Sequence, residues 1–431
     1  MRPPNKPILT RVPYQDCQVL ENSAMAPVNQ TALFRSDIRF AALVLCTGIP
    51  IGLRYHLGLW TSDERGLSVV SHGMPYWDFT NLWAGGRMAL DGHVAFLFDM
   101  DSYRATLRRM FSPDLPNQEW SYPPSILIFG APLALLPIFP AYLVWTLGTV
   151  FCLWLALRPL QLGKAAEAAI LFCPAVLINA AFGQNGALTT ALLIGGLAAV
   201  PKRPVLAGLL FGLLTVKPHL GILVPFCLLA NGNWRAIVAA ALSSFALFAL
   251  TGLLLGSEVW TLFWTETRPL MTAILEAPYP QPYQSNAATM FFLARASGLG
   301  LTAAYALQAI ATVAAIATAI WIWLPWRRVE HRERVVLTAV LATLATPYGY
   351  SYDTIGLAVA VAYLFSTRNA MPRIFLALIW LYPAIAHLVN NAGLGIGVLV
   401  PLFLSAWMLA DIIARERGPT VGGTPGIDMP T

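Results

Sequence analysis

The sequence predicts an all-α integral membrane protein of about twelve spanning segments, with one further segment that enters the membrane surface without crossing. Three observations predict it. Of 431 residues, 57% are hydrophobic and only 11% charged, with a mean hydropathy of +0.63; a soluble domain carries roughly a quarter charged residues. The apolar residues gather in long runs separated by short polar gaps, and about 20 apolar residues in a helix cross a bilayer core. The basic residues fall in alternate gaps, as the positive-inside bias requires.

Residues 1–35 are polar and Pro-containing and are expected to be a flexible cytoplasmic segment. No basic stretch leads directly into a short apolar core, so the first run, 38–60, flanked by Arg35 and Arg39, reads as an uncleaved anchor. Further runs fall at 141–158, 167–182, 185–200, 204–216, 219–231, 236–255, 304–325, 334–347, 354–367, 372–389 and 395–413. With the N-terminus in the cytoplasm, the gaps holding Arg158/Lys164, Lys202/Arg203, Arg235, Arg327/Arg328/Arg332/Arg334, Arg368/Arg373 and Arg415/Arg417 all lie inside. Together with the N-terminal five, that is 18 of the 27 Lys and Arg residues. The segment "YPPSILIFGAPLALLP" (122–137) is short and interrupted by four prolines, and a full crossing there would reverse every later loop. It is expected to be re-entrant or to lie at the outer interface. Runs 204–216 and 219–231 are too short to span singly and read as a broken helix pair meeting at "TVKPHLG" (215–221).

The spanning domain thus covers 36–415, with outer loops 61–122 and 256–303 and cytoplasmic termini. The Gly/Pro-rich segment 416–431 is expected to be a disordered tail. The outer side also holds "FGQNG" (182–186), "VKPH" (216–219), "TPYGYSYD" (346–353) and "NNAG" (390–393), so any chemistry is expected there. The net charge of +6 is spread over short loops and gives no nucleic-acid signal. The five cysteines lack metal-ligand spacing, and four lie inside apolar runs. There is no Walker A run, HExxH, nucleophile elbow or Cys/His cluster.

The outer polar residues supply the candidates. Loop 61–122 holds eight of the 21 acids, and Asp78 alone is boxed in sequence by Tyr76, Trp77, Phe79 and Trp83. Desolvation there makes it a stronger base than a free carboxylate; the alternative is an incidental acid in an interfacial aromatic belt. Lys217, in the middle of an apolar stretch and before Pro218, needs a partner or a cavity. No acid is near it in sequence, so a ligand anion such as phosphate is the expected partner, against a snorkelling lysine as the alternative. His219 fits the same anion or a helix cap. Asp353 opens an outward helix end, where capping competes with a substrate role. Tyr350, with Tyr348 and Tyr352, suits a sugar or lipid-head pocket or the belt. Gln184 and Asn185 offer amides that both donate and accept, as sugar hydroxyls require, or form a turn. Gln284, Ser285 and Asn286 fit the same role or a helix cap.

In order, "DFTNLWAGGRMALDG" (78–92), "YPPSILIFGAPLALLP" (122–137), "FGQNGALTTALL" (182–193), "RPVLAGLLFGLLTVKPHLGILVPFCLLANGNWRA" (203–236) and "TPYGYSYD" (346–353) resemble the GT-C superfamily of membrane glycosyltransferases. Within it the resemblance, over about residues 36–415, is to glycosyltransferase family 87, which includes polyprenyl-phosphate-mannose-dependent α-mannosyltransferases. It implies a GT-C multi-helix bundle with its active site at the outer membrane–water boundary of a bacterial-type inner membrane. The implied partners are a polyprenyl-phosphate sugar as donor and an envelope glycolipid or glycan as acceptor, with no metal or other cofactor. The matching catalytic base is Asp78, and the implied cation on the donor phosphate is Lys217, with His219 in the same phosphate clamp. Trp77, Trp83, Trp120 and Tyr122 would pack against sugar or prenyl chain. Hydrolysis of a glycoside usually takes two carboxylates, whereas a phosphate leaving group asks only for one base and a cation. A transporter or flippase explains Lys217 and the broken helices as well, although no internal repeat is evident and the acid-bearing outer loop is left without a role.

Overall fold

The computed structural model describes residues 30–367 and 371–417. Most of the N-terminal segment (1–29), most of the tail (418–431) and Arg368 lie outside the described residues. Among the described residues there is no β-strand, only isolated bridges joining Ser62 to Ser68 and Ala287 to Tyr350. Twenty α-helices follow in order: α1 (Gln30–Leu43), α2 (Ile49–Trp60), α3 (Trp77–Leu90), α4 (Met100–Met110), α5 (Leu127–Leu133), α6 (Ile138–Leu157), α7 (Lys164–Leu171), α8 (Pro174–Phe182), α9 (Gly186–Ala199), α10 (Pro204–Leu214), α11 (Val224–Ala230), α12 (Trp234–Leu255), α13 (Glu258–Leu262), α14 (Arg268–Glu276), α15 (Met290–Ala296), α16 (Leu301–Trp323), α17 (His331–Leu344), α18 (Ile355–Ser366), α19 (Arg373–Asn391) and α20 (Leu399–Arg417).

Each apolar run is helical for most of its length, but seven helices, not twelve, are long and apolar enough to cross a membrane unaided. These are Asp37–Trp60, Ile138–Leu160, Lys164–Phe182, Trp234–Leu255, Leu301–Trp323, Arg373–Asn390 and Ile396–Arg417. The difference has a packing reason. The long helices α6 and α12 expose Leu147, Phe151, Leu242, Phe245, Leu253 and Leu254, as lipid contact demands. The short helices α9 and α18 are buried almost throughout, as is α17 beyond its polar first turn. Enclosed by other helices, they need not match the bilayer thickness, because irregular backbone at that depth is tolerated inside protein. Helix α10 is short for another reason: it packs its glycines on α12, where a Cβ on Gly208 would lie 2.4 Å from that of Ala239. Small residues at this spacing let helix backbones approach in an apolar medium.

The loops segregate to two ends. At one end Arg327 pairs with Glu416 at 3.2 Å and Arg415 pairs with Glu333. There Arg332 donates to the Leu160 carbonyl at 3.3 Å, and Asn233 to that of Val200 at 3.1 Å. At the other end Trp60 donates its indole N–H to the Ala181 carbonyl at 3.1 Å, and Tyr142 its hydroxyl to that of Ala180 at 2.8 Å. The segment 122–137 begins and ends at this second end. It forms a 3-10 turn and the seven-residue α5, with Pro132 inside, before Pro137 starts α6. The long loops are themselves folded. Loop 61–122 carries α3 and α4, and 256–303 carries α13, α14 and α15.

Candidate active site

Gly183 closes α8 in the left-handed region, φ 70°, and Gly186 opens α9. A Cβ on Gly183 would lie 2.4 Å from Cβ of Phe79, and one on Gly186 2.2 Å from the Tyr352 carbonyl oxygen. Only bare backbone lets this turn wedge between the start of α3 and the 350–354 turn. Gln184 and Asn185, between the two glycines, therefore have Asp78 on one side and Asp353 on the other. Trp145 fixes the turn by donating to the Gln184 carbonyl at 3.4 Å.

Lys217 arrives from the break after α10. Pro218 ends helical geometry and drives the residue before it out of the α region; Lys217 sits at φ −140°, ψ 70°. Its ammonium lies 2.6 Å from Oδ1 of Asp353, donates to Oδ1 of Asn185 at 3.1 Å, and stands 5.4 Å from the centroid of the Tyr352 ring. Lys217, Asp353 and Asn185 are 8%, 6% and 3% exposed. Lys217 thus has an acid partner within the chain, a carboxylate 136 residues away in sequence, which the sequence did not reveal. Capping by Asp353 is corrected, since the N-cap of α18 is Thr354 and no side-chain cap bond is made there.

Asp78 stands in the first turn of α3 and is half-buried. Burial raises its carboxyl to about 6, against the lowering influence of the Gln184 amide and the Lys217 charge; the Asp353 charge adds to the rise. The desolvation does not come from the sequence neighbours. Consecutive helical residues do not face one another. Phe79 turns onto Tyr142 at 5.8 Å, and Tyr76 stacks on the same ring at 5.2 Å. Around Asp78 are instead Gln184, Tyr122, Tyr350 and Tyr352, each tyrosine feeling its charge. Tyr350 and Tyr352 stack at 5.5 Å.

The remaining candidates flank this cluster. The His219 ring is 5.8 Å from that of Tyr348, and its buried Nε2 has no hydrogen-bond partner. Trp77 lies on Gly73, and its carbonyl accepts from Gln118 at 3.0 Å. Trp83 donates to the Leu136 carbonyl at 3.0 Å and so ties α3 to the turn before α6. Trp120 is 1% exposed between Tyr103 and Tyr122, which corrects its expected role against substrate: it is core. Gln284, Ser285 and Asn286 do not cap α15, whose N-cap is Thr289. Of the three, Asn286 reaches the site loop, accepting from Ser351 at 3.2 Å, and, two residues on, Ala288 donates its N–H to the Gly349 carbonyl at 2.9 Å. Among the described residues no group of three or more His, Cys, Asp or Glu is arranged to hold a metal ion.

Sequence reasoning missed the Lys217–Asp353 pair. The available signal was one unpaired cation and one unpaired acid, both set in apolar surroundings that tolerate neither alone.

A helical bundle with seven membrane-length helices and a charged cluster buried at one end defines a multi-pass membrane protein with an internal polar site. The sequence model of glycosyltransferase family 87 matches residues 120–347, more than half of the chain. The chain belongs to glycosyltransferase family 87, and its class of activity is that of a membrane glycosyltransferase. The matched stretch contains Tyr122, Gln184, Asn185, Lys217 and His219; Asp78 precedes it and Asp353 follows it. No curated protein and no solved structure matches the chain.

Proposed function

We propose that the protein transfers a sugar, mannose in the first instance, from a polyprenyl-phosphate donor to a hydroxyl of an envelope lipid or glycan. The reaction runs with inversion at the extracytoplasmic face of a bacterial-type inner membrane. The observation that carries this reading is the desolvated Asp78 together with the buried Lys217 ammonium, whose charge acts on it. Asp78 takes the proton of the acceptor hydroxyl as its oxygen bonds to the anomeric carbon. The carbon–oxygen bond to phosphate breaks on the opposite face, and polyprenyl phosphate leaves with the electron pair. An ammonium has three N–H donors; Lys217 spends two on Asp353 and Asn185, and the third, with His219 alongside, meets the departing phosphate. Tyr122 and Tyr350 supply surface for the sugar, and Trp77 for the prenyl chain. The gathering of basic loops at the opposite end supports an outer position for the cluster, by the positive-inside bias.

The test is purified protein given a panel of polyprenyl-phosphate sugars and extracted envelope lipids, with products read by mass spectrometry. Asp78→Asn is expected to remain inserted and lose on the order of 10²- to 10⁴-fold in transfer; normal turnover by this variant overturns the base. The break at Lys217 between short helices also favours a transporter or flippase. Movement of a lipid-linked or anionic substrate by proteoliposomes, with no covalent product, decides for that reading.

A further inference from the structure

We propose that Asp353 is a positioning residue for the transfer: with Asn185 it fixes the Lys217 ammonium between two carboxylates, and so keeps Asp78 a competent base. The inference rests on Asp78 being the base.

Two carboxylates share one cation here. Lys217 is 2.6 Å from Asp353 and hydrogen-bonded to Asn185, and its charge is felt at Asp78. The groups that act on Asp78 or sense its charge are Lys217 from the break after α10, Asp353, Tyr350 and Tyr352 from the turn before α18, Gln184 from the turn before α9, and Tyr122 from the segment before α5. The cluster thus sets two carboxyl groups, Asp78 and Asp353, against one amine, Lys217. An ammonium free to move would settle on the half-buried Asp78 and quench it as a base. Asp353 prevents this by holding the ammonium through the shorter of its two hydrogen bonds.

A second observation ties the pair to Asp78. Asn185, the other acceptor on the Lys217 ammonium, stands in the 183–186 turn, and a Cβ on Gly183 of that turn would lie 2.4 Å from Cβ of Phe79, the residue next to Asp78.

The test is the pH dependence of kcat/KM for purified full-length protein with the donor found active, comparing wild type with Asp353→Asn, Asp353→Glu, Lys217→Met and Asp78→Asn. Losing the Asp353 charge and releasing the ammonium both favour ionised Asp78. Asp353→Asn is therefore expected to move the acid limb down by about one pH unit and to lower the plateau, as a weaker base does. Asp353→Glu is expected to return the limb to its wild-type position, and Lys217→Met to move it up. If Asp353→Asn fails to insert, Asp353→Ser removes the same charge and leaves room for water, with the same shift expected. A limb that stays in place or moves up in the neutral variants, while Asp78→Asn is inactive, overturns the positioning role alone. Wild-type turnover by Asp78→Asn overturns the base assignment and this inference with it.

Discussion

Asp78 sits at a helix N-terminus, where the backbone dipole ordinarily favours a charged carboxylate. Burial among Gln184, Tyr122 and Tyr352 outweighs that influence and raises its carboxyl to about 6. A base acts only when deprotonated, so kcat/KM is expected to be flat above that value and to fall about tenfold per pH unit below it; a pH profile of transfer checks this. The sign follows from the acid's being neutral, and so unable to accept a proton, below its pKa. Trp83 makes the opposite case. Its indole N–H is spent on the Leu136 carbonyl, so Trp83→Phe is expected to lower stability by about 1 kcal/mol and leave donor KM unchanged. A thermal melt and a donor titration read the two effects separately, and a large rise in KM would return Trp83 to the substrate.

At the scale of elements, the site is made by breaks and not by regular helix. The 183–186 turn, the Pro218 break and the 350–354 turn each interrupt helical geometry, and they meet at one end of the bundle. Their irregular backbone is shielded from lipid by α6, α2 and the folded outer segments. The tightest of these junctions is Gly186 against the Tyr352 carbonyl. Gly186→Ala is expected to push the 350–354 turn away, to cost about 1–3 kcal/mol in stability through overpacking, and to reduce transfer because Asp353 and Lys217 move with that turn. Activity measured at a temperature where the variant is fully folded separates the two effects; wild-type activity there means that the junction does not position the cluster.

Across the whole molecule, charge and polarity separate to opposite ends. Arg327, Arg415, Glu333 and Glu416 gather at one end and the Asp78 cluster at the other. In a cysteine-free background, Glu64→Cys on the site side is expected to react with a membrane-impermeant thiol reagent added from outside intact cells. Lys202→Cys at the basic end is expected to react only after the membrane is opened. Labelling of position 202 from outside would invert the orientation and place the reaction in the cytoplasm.

The linear sequence determined the membrane class, the helix-forming runs and the separation of basic from polar gaps, because each depends on composition and local pattern. Asp78, Gln184, Asn185, Lys217 and Asp353 were also legible one by one, as polar residues that an apolar chain does not hold without cause. What the tertiary structure alone decided was how they combine. The aromatic neighbours of Asp78 turn away from it, Trp120 enters the core, and Lys217 finds its counter-charge on Asp353. Helical geometry separates adjacent side chains, and packing joins distant turns, so a charge balance spread over three breaks in the chain exists only once the bundle has closed.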